Sequence, residues 1–84
     1  MNIHVITVLN VTGNDVVEHK IVGWKRMLTM AADFVEHNVL DIHDDYFEYA
    51  VIEEVEEGIS PATEKEYWFQ WKNGKYAECK KPKE

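Results

Sequence analysis

Tyr67-Trp68-Phe69-Gln70-Trp71-Lys72-Asn73-Gly74-Lys75-Tyr76 carries half of the aromatic residues in this 84-residue chain. At its centre, Asn73-Gly74 predicts a two-residue β-hairpin, because both central positions of a type I′ turn need positive φ, which Asn and Gly tolerate best. Side chains alternate between the faces of a strand. Phe69, Trp71 and Tyr76 therefore fall on one face, and Trp68 and Cys79 on the other. A hairpin with large aromatics on both sides needs cover on both, from its own domain, a second copy or a ligand.

Upstream of this hairpin, Tyr46 to Val55 reads as a strand, with Phe47, Tyr49 and Val51 on one face and Ala50 and Ile52 on the other. Gly58 and Pro61 make 56–63 a connector. A helix is predicted from Lys25 to His37, because Met27, Leu28, Ala31, Phe34 and Val35 form one apolar stripe. Asn38 suits its C′ position, and Leu40 to Asp45 is a loop. Ile3 to Val11 is apolar at nearly every position, as in a strand covered on both faces. Val16 to Val22 returns antiparallel to it. A two-residue loop would set Leu9 opposite Glu18; a three-residue loop would set it opposite His19. The second is favoured, since Val17 and Ile21 then share the face of Thr7, Leu9 and Val11. These elements define an α+β fold, ββαβββ, with one helix on a mostly antiparallel sheet. Residues 1–80 form a single domain and 81–84 a tail. A right-handed crossover from the second strand to the third places the first between them, in the sheet order 2-1-3-4-5.

Five strands at about 4.8 Å spacing span roughly 19 Å, whereas one helix is about 10–12 Å wide. Much of the sheet would thus be bare in a monomer, although several of its side chains are apolar. Bare apolar patches of that extent mark interaction sites, and a symmetric homodimer closes them with a single surface.

The formal charge is −7. Asp41, Asp44, Asp45, Glu48, Glu53, Glu54, Glu56 and Glu57 follow one another with no Lys or Arg between them. A negative field opposes duplex DNA and anionic membranes as partners, and no apolar stretch approaches the ~20 residues of a membrane span. With Cys79 alone, there is no internal disulfide, and the first residues read as a strand rather than a signal peptide. A cytoplasmic protein is expected.

Little in the chain points to catalysis. His37, Asp41, His43, Asp44 and Asp45 form the densest set of metal-ligating types, but without the spacing of a rigid zinc or calcium site. Cys79 lacks the basic setting of a nucleophile. His4 and His19 are brought near each other only by the first hairpin. Glu53 and Glu54 are adjacent strand residues and point to opposite faces. No catalytic residue, metal or cofactor is assigned. Trp68, Trp71 and Tyr76 beside Lys72 and Lys75 have the residue types of a single-strand nucleic-acid platform, but packing under the helix and against a partner explains the aromatics better.

The whole chain resembles small prokaryotic and phage domains of unknown function that pair an N-terminal hairpin with one helix. In these domains a strand like Tyr49-Ala50-Val51-Ile52-Glu53 leads through a Gly-containing loop to an aromatic strand. The ending resembles Trp68-Phe69-Gln70-Trp71-Lys72-Asn73-Gly74-Lys75-Tyr76 with a closing Lys81-Pro82. The resemblance implies that arrangement and no activity. The sequence thus points to a non-enzymatic interaction or ligand-binding module, a homodimer that also offers a surface to a protein partner. Its candidate binding surface is Trp68, Trp71, Lys72, Lys75 and Tyr76. The alternatives are an acidic inhibitor from a phage or mobile element that mimics nucleic acid through 41–57, and third, a metal-dependent enzyme.

Overall fold

The computed structural model describes residues 2–13, 15–56 and 63–82. Along the chain run β1 (Asn2–Thr12), β2 (Asp15–Lys25), α1 (Leu28–Glu36), a 3-10 turn (Val39–Asp41), β3 (Tyr49–Glu56), β4 (Thr63–Lys72) and β5 (Lys75–Cys79). The five strands form one antiparallel sheet in the order β2-β1-β3-β4-β5. The α-helix α1, single among the described residues, lies on one face, so the fold is α+β. The Gly58–Pro61 connector and the last two residues of the expected tail lie outside the described residues. Among the described residues, no helix is long and apolar enough to cross a membrane.

β1 sits between β2 and β3, which accounts for its near-continuous apolar run. Its Ile6 and Val8 turn toward the helix and pack with Ala31, Val35, Ala50, Ile52, Phe69 and Tyr76. The helix is shorter than its apolar stripe predicts. Residues up to Lys25 belong to β2, where Trp24 pairs with Val5 and Lys25 with His4. Met27, in extended conformation, is the N-cap residue and supplies no side-chain hydrogen bond. Asn38 adopts the left-handed conformation expected after a helix end, with φ 47°.

The first hairpin combines both expected registers. Leu9 lies opposite His19, yet Thr12 is already opposite Asp15. The discrepancy of one residue is absorbed by an irregularity at Val17, and a second follows at Val22. Ile21 thus faces the same side as Thr7, as expected, while Val16 rather than Val17 stands opposite Val11.

β3 begins three residues later than the sequence suggests. Asn10 explains the delay: its side-chain amide donates to the Tyr46 carbonyl (3.2 Å) and its oxygen accepts from the Glu48 N–H (2.8 Å). Alternation does not extend through this bend. Phe47 therefore sits in the helix-side core, although Tyr49 and Val51 occupy the opposite face. Asn73 and Gly74 both have positive φ, 52° and 82°, and join β4 to β5 as a two-residue turn.

Candidate interaction surface

The alternation along β4 and β5 holds, and it divides the expected binding surface. Tyr76 is only 1% exposed. Its hydroxyl donates a 2.7 Å hydrogen bond to the Phe47 carbonyl, and burial, with a smaller push from Asp41, raises its pKa. Trp71, half-buried on the same side, is covered by the His43 ring at 3.6 Å and meets Tyr76 edge-on at 5.0 Å. Trp68 faces the other way, opposite Cys79, with its indole N–H donating to Glu66 (3.0 Å). Lys72 and Lys75 are exposed and face each other beside the turn. Trp68, Trp71, Lys72, Lys75 and Tyr76 therefore do not make one surface. Nor do they make a base-stacking platform, because the two tryptophans lie on opposite faces of the sheet.

The other chemistry-bearing residues are engaged separately. His37 Nδ1 lies 2.9 Å from the Asp33 carbonyl, and the Asn38 amide donates to Asp41 (3.0 Å) and accepts from the His43 N–H (2.9 Å). Among the described residues, no three of His, Cys, Asp and Glu converge on a point that would hold a metal ion. His4 and His19 do not approach each other: His4 pairs with Lys25 on the helix side, and His19 with Leu9 on the other. His4 is buried, with Nδ1 3.1 Å from the Arg26 carbonyl and Nε2 3.6 Å from Glu54, which also accepts from the Asn2 amide (2.7 Å). Burial raises the Cys79 pKa, against a smaller lowering by Lys72, so the thiol is not activated. The acidic run is likewise dispersed. Asp41, Asp44 and Asp45 lie in the loop, while Glu53 and Glu54 point to opposite sides of β3.

What remains is the open face of the sheet. Thr7, Leu9 and Val51 form its floor, and the last two are only 4% and 5% exposed although no helix covers them. They are sheltered instead by their taller neighbours. A groove of about 620 Å³ runs over this floor, walled by Val16 and Ile21 of β2 on one side and by Trp68 and Pro82 on the other. Lys81 is held beside it by Glu66 at 3.4 Å. On the β2 side Ile21 is 65% exposed; farther along β2, Trp24 is 52% exposed, with the Arg26 guanidinium 5.7 Å over its ring. The limited width of one helix signals this uncovered face in the sequence. Which residues rise above it does not follow from the sequence, because the irregularities in β2 decide that.

In comparisons with known proteins, no family model matches the chain, and neither a curated protein nor a solved structure matches it.

Proposed function

We propose that this chain is a non-enzymatic interaction module, working in the cytoplasm as a homodimer, with the open face of its sheet as the binding surface. The observation that carries this reading is the row of apolar side chains on β2, Val16, Ile21 and Trp24, each more than half exposed on the face that α1 leaves uncovered. Large apolar groups standing together in water are characteristic of contact surfaces. Of the aromatic hairpin, Trp68 belongs to this surface, while Trp71 and Tyr76 support it from the core side. The experiment is sedimentation equilibrium across the micromolar range. A mass near twice 9.9 kDa is expected; a species of 9.9 kDa at every concentration would remove the reading.

A further inference from the structure

Resting on the self-association in that reading, we infer where the two copies meet: edge to edge, β2 against the partner's β2, so that two five-stranded sheets continue into one. β2 ends the sheet order, and among the described residues no strand pairs with its outer side. All of its residues from Asp15 to Ile21 are exposed. Asp15 and Glu18 balance Lys20 and Lys25, so this strand is neutral in a chain of net charge −7. Two molecules that repel as wholes approach most easily through a neutral strand.

Register is the second support. In a symmetric antiparallel pair the two-fold axis runs perpendicular to the sheet and keeps each face on its own side. Residues opposite each other share a face, so the axis passes through one residue and its copy. Through Glu18 or through Lys20 it would set like charges against each other. Through His19 it sets Glu18 opposite the partner's Lys20 and Lys20 opposite the partner's Glu18. Val17 and Ile21, 52% and 65% exposed, then oppose each other on both sides of the centre. One place further either way, Glu18 would meet Val16 or Trp24. Among the described residues, neither Glu18 nor Lys20 has a salt-bridge partner within its own chain, so both are available to a second copy.

The ladder between β1 and β2 limits the contact. It is irregular at Val17 and Val22 and regular from Glu18 to Ile21. Such irregularities bend a strand and stop pairing from spreading along it. They leave the run from Glu18 to Ile21 as the part of the edge that accepts a partner, and they hold it to one register. The opposite edge is less suited. β5 has five residues and ends at Cys79; Glu78 and Lys80 would oppose only about an axis through that last residue, where the ladder stops.

The test combines sedimentation of charge variants with amide exchange, both on the full chain. Glu18 and Lys20 are exposed in the single copy, so Glu18→Lys and Lys20→Glu keep the fold, which circular dichroism verifies. Each is expected to raise the dimer dissociation constant at least about tenfold, because like charges then oppose at two places. An equimolar mixture of the two variants restores every opposite pair and should associate as tightly as the wild type. So should a chain carrying both substitutions, whose net charge is unchanged. The outward amides between Glu18 and Ile21 should exchange more slowly in the wild-type dimer than in either variant alone. A dimer indifferent to the single substitutions overturns edge pairing and leaves self-association standing. So does a mixture or double variant that stays dissociated, or outward amides as fast in the dimer as in the variants. A wild-type chain of single-copy mass overturns both.

Discussion

The imidazole of His43 lies flat on the indole of Trp71, with ring centroids 3.6 Å apart and planes 5° from parallel. Through this contact a loop residue becomes a small roof over the second hairpin, and the backbone N–H of the same residue is tied to Asn38. Replacing His43 by Ala is expected to cost about 1 kcal/mol, the usual worth of a stacked aromatic pair. In a chain that keeps Trp71 as its sole tryptophan (Trp24→Phe, Trp68→Phe), the substitution shifts the emission maximum to the red. An unchanged maximum would mean that His43 does not shelter the indole.

Tyr76→Phe removes the donor that satisfies the buried Phe47 carbonyl. Urea titration is expected to show a loss of about 1–2 kcal/mol. The same hydroxyl gives the protein an alkaline limit. Its pKa in the fold is raised above 10.0 by burial first and by Asp41 second. Below about pH 10 both folded and unfolded chains keep the proton, so this contribution is complete. Above that, the unfolded chain releases its proton while the fold retains it, and stability falls with pH. Tyr76→Phe should flatten that decline; a decline of equal slope would locate its origin elsewhere.

Asn10 fixes where β3 begins, through one donated and one accepted hydrogen bond to the 46–48 backbone. Asn10→Ala loses both and should cost about 1–2 kcal/mol. Asn10→Asp keeps the acceptor and should cost less. Equal losses for the two variants would show that the Glu48 contact does not contribute.

Gly74 has φ +82°, and a Cβ built there meets nothing within 4 Å. The cost of Gly74→Ala is therefore backbone strain alone, about 1 kcal/mol for an L-residue held in the left-handed region. Thermal melting measures it, and an unchanged midpoint would rule out a strained turn.

Several elements were legible in the residues themselves. Asn73-Gly74 specifies its turn locally, Asn38 stops α1, and the apolar run of β1 reports a strand with neighbours on both sides. The bare sheet face follows from widths alone. Phe47 was not legible, since its side of the sheet depends on Asn10, far away in sequence. Ile21 stands on the expected face. Val16 in place of Val17 was not legible, because an irregular position in β2 resets the pairing that alternation assumes. Neither was Trp24, which lies beyond the strand expected to end at Val22. The division of the aromatic hairpin between two faces was legible too, from alternation along β4 and β5. Trp68, Trp71 and Tyr76 are close along the chain, but strand geometry sends the first away from the other two.

The central place of β1 has a consequence for the order of folding. The earliest part of the chain completes its pairing only with β3, and the Asn2–Glu54 hydrogen bond spans 52 residues. Such distant closure slows the search for the native state. A nascent chain on the ribosome thus has Ile6 and Val8 without Ala50 and Ile52 until β3 emerges, and without the Tyr76 ring until the second hairpin follows.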